Sequence, residues 1–94
     1  MDKAIALLEV QANVAAIADL DAMLKAADVR LIHIERRLGG RLVTVVVEGD
    51  VSAAKAAAEA GAVAAAEVGN VKLCEVIARP HRDVMRFLKT DEVF

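Results

Sequence analysis

Residues 42–71, with the sequence LVTVVVEGDVSAAKAAAEAGAVAAAEVGNV, decide the fold. The β-branched start of this stretch predicts a strand. Gly49 and Asp50 end that strand, and the Asp50 carboxylate can accept from the free amides of a first helical turn. The alanine-rich run from Val51 to Val68 predicts a long helix, and Gly69 marks its end.

The rest of the chain adds three strands and two helices. Ile17, Leu20 and Leu24 recur at helical spacing, which indicates an amphipathic helix, and Asn13 is placed to cap it. The predicted elements are strands at Ala4–Val10, Val29–Arg37, Leu42–Glu48 and Val71–Ile77, and helices at Val14–Ala27, Val51–Val68 and His81–Lys89.

This element order is the split βαβ or ferredoxin-like pattern. It predicts an α+β fold with a four-stranded antiparallel sheet, two main helices and a short C-terminal helix. We assign residues 1–94 to a single domain, because so short a chain has room for one core and contains no linker.

Small side chains dominate the predicted core. Apolar residues make up 57% of the chain and aromatic residues only 2%. Gly61 lies inside a predicted helix at a cost of about 1 kcal/mol relative to alanine, which indicates that another element packs closely against it. So large an apolar share also predicts self-association, since exposed apolar patches commonly mark interfaces. Cys74, the only cysteine, is predicted to be a small buried or interface residue.

The charge pattern excludes two classes of partner. The formal net charge is −2, with both signs interspersed, so no basic field attracts nucleic acid or an anionic membrane. No apolar segment approaches the roughly 18 residues that a membrane span needs. We therefore expect no nucleic-acid partner, no membrane partner and a cytoplasmic location.

The chain offers few residues for chemistry. Its only histidines, His33 and His81, lie on different predicted elements without ligands at metal-binding spacing. Its only serine, Ser52, falls in the first turn of a helix, where hydroxyls commonly bond the backbone. Gly39 and Gly40 lie between two strands and predict a hairpin turn, not a dinucleotide loop. We predict no enzyme, no metal site and no cofactor.

The stretch 42–71, followed by ARPHRDV at residues 78–84, resembles the bacterial microcompartment shell proteins with a single shell domain. DAMLKAADV at residues 21–29 is similar to the first helix of that family. With AIALLEV at residues 4–10, these segments follow the family's order over nearly the whole chain. The resemblance implies a disc-shaped hexamer that tiles into a shell. Its implied partners are neighbouring hexamers, other shell proteins, encapsulated cargo enzymes and small metabolites in transit.

The resemblance also implies which residues form the edge between hexamers. Lys25 matches the lysine that lies along its counterpart in the neighbouring hexamer, and Arg79 matches the arginine that inserts across the same seam. His81 matches an adjacent edge residue. Long side chains suit this position, because they can lie flat along a surface and still donate from their ends.

The family lines its central pore with a Gly-Ser-Gly turn between the second and third strands. This chain lacks that serine and has one residue more than usual in the loop. The resemblance leaves open which arginine points into the pore. The implied pore residues are Leu38, Gly39, Gly40 and Arg41, together with Arg37.

The arginines would decide what such a pore passes. Guanidinium groups stay charged at physiological pH, so six copies near the axis favour anionic metabolites. The alternative is a merely polar hole, if the arginines splay outward or pair with Glu35 or Glu48.

A second function is compatible with the same fold. A ferredoxin-like domain can also be a small regulatory domain that binds a metabolite in a cleft between subunits. A larger ring in solution favours the shell protein, whereas a dimer with saturable binding favours the regulatory domain.

Overall fold

The structure, a computed structural model, describes residues 3–89. It contains one four-stranded antiparallel sheet in the order β2-β3-β1-β4, with helices on both faces. The predicted α+β fold class is confirmed. The elements are β1 (Lys3–Gln11), α1 (Asn13–Ala26), β2 (Arg30–Arg37), a 3-10 turn at Leu38–Gly40, β3 (Leu42–Asp50), α2 (Val51–Val68), β4 (Asn70–Ala78) and α3 (Arg82–Leu88).

Helices α1 and α2 cover one face of the sheet and form the main core. A Cβ atom on Gly61 would lie 2.7 Å from the Cγ atom of Met23, so α1 approaches α2 to a distance that only glycine allows. The predicted close packing at Gly61 is therefore confirmed. The core between helices and sheet is built largely of Ala15, Ala54, Ala57, Ala65, Val43, Val45, Val47 and Leu8.

The short helix α3 covers the other face. Leu88 packs there with Ile5 and Val46 in a second, smaller cluster. The pairing of β2 with β3 shifts between Leu31 and His33. Past this shift, His33 Nδ1 lies 3.0 Å from the carbonyl oxygen of Leu88, which ties the end of α3 to the sheet.

Two expectations for α1 are wrong. Asn13 is the first residue of the helix instead of its cap, and no side chain caps that end. Ile17 and Leu24 are exposed, while Asp19 and Met23 are buried. The physical reason is that α1 turns the face with Ala15, Asp19 and Met23 toward α2, where the missing side chain of Gly61 makes room for Met23.

Two further expectations concern the start of α2 and the environment of Cys74. The Asp50 carboxylate accepts from the Ala53 amide at 2.7 Å, so the predicted cap of α2 is confirmed. Cys74 is exposed in the single subunit, so the buried alternative is wrong, and its place at an interface stays a prediction. It lies on β4, an outer strand of the sheet, with its Sγ 3.8 Å from the Ala58 carbonyl oxygen.

The C-terminal helix begins one residue later than predicted, because His81 serves as its cap. The ring Nδ1 of His81 accepts from the Asp83 amide at 3.0 Å. Of the apolar residues in this helix, Leu88 is buried, whereas Val84 and Phe87 remain exposed. The helix therefore packs on the sheet through Leu88, with Met85 partly buried beside it.

Candidate functional site: a loop and an edge

The antiparallel register separates two ends of the sheet. At one end Arg37 pairs with Leu42, and the chain turns between them through the loop of residues 38–41, called the loop below. At the other end Lys3 pairs with Asp50, and Ala4 with Ala78. The loop and the chain segments beyond Ala78 therefore lie at opposite ends.

The loop has an unusual backbone. Leu38, Gly39 and Gly40 have φ angles of 55°, 66° and 91°, a region that L side chains rarely adopt. A Cβ on Gly40 would lie 2.7 Å from the side-chain nitrogen of Asn13, so the start of α1 supports the loop from behind. Leu38 is 68% exposed despite its strained conformation. Strain of this kind is retained mainly where function requires it.

Arg37, directly before the loop, and Arg41, its last residue, differ in their partners. Arg37 Nε donates to Glu35 Oε2 at 2.5 Å, and the hydrogen bond is the main reason why the pKa of Glu35 is lowered. His33 Nε2 lies 3.5 Å from the other oxygen of Glu35. Arg41 is exposed and forms no ion pair with any residue between 3 and 89. Its backbone amide donates to the Leu38 carbonyl oxygen at 3.3 Å.

The predicted edge residues lie together at the opposite end. Helix α1 runs from the loop toward this end, because Asp28, two residues beyond it, has its carbonyl oxygen 2.9 Å from where a Cβ on Gly49 would be. Lys25 in its last turn is exposed and pairs with Asp21 at 2.8 Å.

Arg79 lies at the same end, directly after β4. Its φ angle is 48°, and its backbone amide donates to the Lys3 carbonyl oxygen at 2.9 Å. His81 follows as the cap of α3. A non-glycine residue held in the left-handed region by a backbone hydrogen bond presents its side chain in a set direction.

A buried carboxylate at this end was not recognised in the sequence. Glu48 is 2% exposed and is contacted by Arg30, Lys3 and Lys89, whose nitrogens lie 2.5, 3.6 and 3.8 Å from its Oε1. Burial alone would raise the pKa of Glu48, but the hydrogen bond from Arg30 and the three positive charges together lower it. The cluster joins β1, β2 and β3 to the end of α3.

Asp19, on α1, is a second buried carboxyl group that was not recognised in the sequence. Its side chain is fully buried, and neither carboxylate oxygen has a hydrogen-bond partner in the described part of the chain. Burial raises the pKa of Asp19 to about 7. The available signal was its place four residues after Ala15 and four before Met23, both of which are buried.

The two lateral sides of the molecule expose different apolar residues. The β2 side carries Val14 and Ile17 on α1, and the β4 side carries Val63 on α2 and Leu73 on β4. Within residues 3–89 no group of three potential metal ligands comes together. The same residues contain no helix that is long and apolar enough to cross a membrane.

Comparison with known proteins identifies the family. The model of the BMC domain matches residues 4–80. The chain is 50% identical to the bacterial microcompartment shell protein PduA of Citrobacter freundii over 86 residues. These residues are 92% of this chain and 91% of PduA. The chain belongs to the bacterial microcompartment shell protein family.

Other members of the family agree with this assignment. The shell protein EutM of Escherichia coli K12 is 45% identical over 82 residues, which are 87% of this chain and 84% of EutM. The crystal structure of a microcompartments protein from Desulfitobacterium hafniense DCB matches with a TM-score of 0.83 at 29% identity. That match covers all of this shell protein and 52% of the solved chain.

The matched shell domain contains the loop, Lys25 and Arg79, and it ends one residue before His81. Membership places the protein in the shell of a microcompartment, as predicted. The assignments of loop residues to a pore and of Lys25, Arg79 and His81 to an edge stay predictions.

Proposed function

We propose that this shell protein forms rings of six subunits that tile into the wall of a microcompartment in the bacterial cytoplasm. The loop of residues 38–41 lines a central pore for small metabolites, with Arg37 beside it. Lys25, Arg79 and His81 contact neighbouring rings. The protein then acts as a wall and a passage around cargo enzymes, next to other shell proteins, and turns over no substrate itself.

The opposite placement of loop and edge carries this proposal. In a ring of radially arranged subunits, one end of each subunit faces the axis and the other faces the perimeter. The loop lies at one end of the sheet, and Lys25 and Arg79 lie at the other. The subunit measures 34 × 29 × 17 Å, and so flat a body suits a wall one subunit thick.

The two lateral sides also suit a ring. Ring contacts are head-to-tail, so each subunit needs two different surfaces that fit each other. The β2 side combines exposed apolar residues with the exposed Arg36, whereas α2 on the β4 side exposes Glu59 and Glu67 next to Val63. Apolar contact with opposite charges at its rim favours association of one side with the other.

Native mass measurement of the purified protein tests the ring. We expect a hexamer under dilute, mild conditions. A stable dimer that binds a metabolite saturably would instead support a regulatory domain. A stable monomer would exclude both the hexameric ring and the dimer.

Substitution at the edge separates the ring from the wall. Lys25→Asp and Arg79→Ala should leave hexamers intact and abolish extended sheets, because a small loss in each contact is repeated on all six sides. Arg86→Ala is the matched control, since Arg86 is 83% exposed on α3 and beyond the matched shell domain. Electron microscopy of the assemblies measures the effect. Normal sheets from both edge variants would show that the edge assignment is wrong.

A further inference from the structure

Of the two arginines at the loop, Arg37 before it is paired and Arg41 within it is not. We infer that the pore passes small anions in preference to cations, that Arg41 determines this preference, and that Glu35 keeps Arg37 from contributing to it. The inference rests on the proposed function, because only a ring brings several copies of the loop together.

Glu35 neutralises Arg37 through a contact along a single strand. Alternate residues of a strand lie on the same face, so Glu35 is the nearest acidic neighbour of Arg37 on that face. Their hydrogen bond is 2.5 Å long, and the Glu35 side chain is partly buried, with His33 on its other side. The pKa of Glu35 is lowered, so the carboxylate keeps its charge at neutral pH. Arg37 therefore adds a dipole to the loop and no net charge.

Arg41 contributes a full charge. It directly precedes β3, and its backbone is held by the hydrogen bond to Leu38 and by the packing of Gly40 against Asn13. No acidic side chain in the described residues pairs with it. A guanidinium group does not lose its proton in proteins. In a ring of six subunits the loop would thus present six positive charges, not twelve.

This arrangement predicts the chemistry of the passing solutes. Screening at physiological ionic strength acts over about 8 Å, so it does not remove the potential inside a narrow opening. Pores select by diameter, by hydrogen-bond donors and by charge. Small carboxylates, which also accept hydrogen bonds from guanidinium and amide groups, are the solutes that this lining fits best.

The test measures release of acetate, ethylammonium and uncharged acetamide from loaded, closed shells. The parent should release acetate several times faster than ethylammonium at low salt, and added salt should reduce the ratio. Arg41→Gln should bring the ratio close to one, Arg41→Lys should largely retain it, and Arg86→Ala should leave it unchanged. Glu35→Gln should raise the ratio, because it frees the charge of Arg37.

The three solutes keep two kinds of failure apart. Acetamide release and native mass report whether an open ring exists in each variant. If the parent releases no acetamide or forms no hexamer, the proposed function is contradicted. An unchanged ratio in Arg41→Gln, with normal acetamide release, overturns the role of Arg41. An unchanged or lower ratio in Glu35→Gln overturns the role of Glu35. Because Glu35 is partly buried, the double variant Glu35→Gln with Arg37→Gln gives a second reading: it removes both charges of the pair and should leave the parent ratio unchanged.

Discussion

The helix layer and the outer end of the sheet each bury a carboxyl group, but only one of the two groups has partners. Asp19, between α1 and α2, is fully buried and has no hydrogen-bond partner among the described residues. Glu48, in β3, is 2% exposed and surrounded by Arg30, Lys3 and Lys89. Burial raises the pKa of Asp19 to about 7, whereas the positive charges outweigh burial and lower the pKa of Glu48. Partners, more than burial, therefore determine which form each group takes.

The two groups affect stability in opposite directions. Asp19 has an ordinary pKa of 3.8, so between pH 4 and 7 the folded protein binds a proton that the unfolded chain has released. The free energy of unfolding therefore falls as the pH rises through this range, and the loss is complete above about pH 7. Glu48 stabilises the folded protein at neutral pH, and this contribution is lost as the pH falls through its lowered pKa.

The largest expected effect comes from removing the unpaired charge. Asp19→Asn should raise the free energy of unfolding at pH 8 by up to about 4 kcal/mol, since a pKa shift of one unit corresponds to about 1.4 kcal/mol. At pH 4 the gain should shrink to less than about 1 kcal/mol, because Asp19 is then neutral in the folded protein. Urea unfolding at both pH values, with equal protein concentration, measures the gain in the free energy of unfolding. Equal gains at pH 4 and pH 8 would contradict the unpaired-charge explanation.

A smaller effect of opposite sign is expected at the paired group. Glu48→Gln should lower the free energy of unfolding at pH 7 by about 2 kcal/mol, because hydrogen bonds to charged groups contribute about 1.5 to 3 kcal/mol. The loss should become smaller as the pH falls through the lowered pKa of Glu48, because the parent then also loses the charge. Asp28→Asn, which removes an exposed carboxylate between α1 and β2, is the control and should change little. A loss that is independent of pH would point to packing instead of charge.

The same contrast explains what could be predicted from the sequence. Local signals placed the strand before Asp50, the cap at Asp50 and the helix that follows, because their residues act on backbone a few positions away. The close contact at Gly61 was also predictable, since glycine inside a helix is otherwise unfavourable. The family resemblance located the loop and the edge residues along the chain.

The rest depended on how elements lie against one another. Periodicity placed Ile17 and Leu24 on the buried face of α1, but the close approach to α2 buries Asp19 instead. Glu48 has three cationic partners from distant parts of the chain. Its neighbours in the sequence do not distinguish it from a glutamate that is exposed to solvent. Whether Arg37 or Arg41 keeps its charge free also depended on a side-chain contact, the one to Glu35.

The smallest expected effect completes the comparison with a carboxylate that is paired but exposed. Asp21 lies two residues after Asp19 and four residues before Lys25. Its carboxylate contacts the Lys25 ammonium group at 2.8 Å, and both side chains are exposed to solvent. Exposed pairs of this spacing contribute about 0.3 to 0.5 kcal/mol and are screened by salt. Asp21→Asn should therefore lower the free energy of unfolding by no more than that at low salt, and by almost nothing in 0.5 M salt, where the Debye length is about 4 Å. Urea unfolding at the two salt concentrations measures the difference. Asp21→Asn changes the same kind of group on the same helix as Asp19→Asn, so it also serves as the control for that variant. A salt-independent loss above about 1 kcal/mol would show that Asp21 is held as firmly as Glu48, and that exposure does not separate the two paired carboxylates.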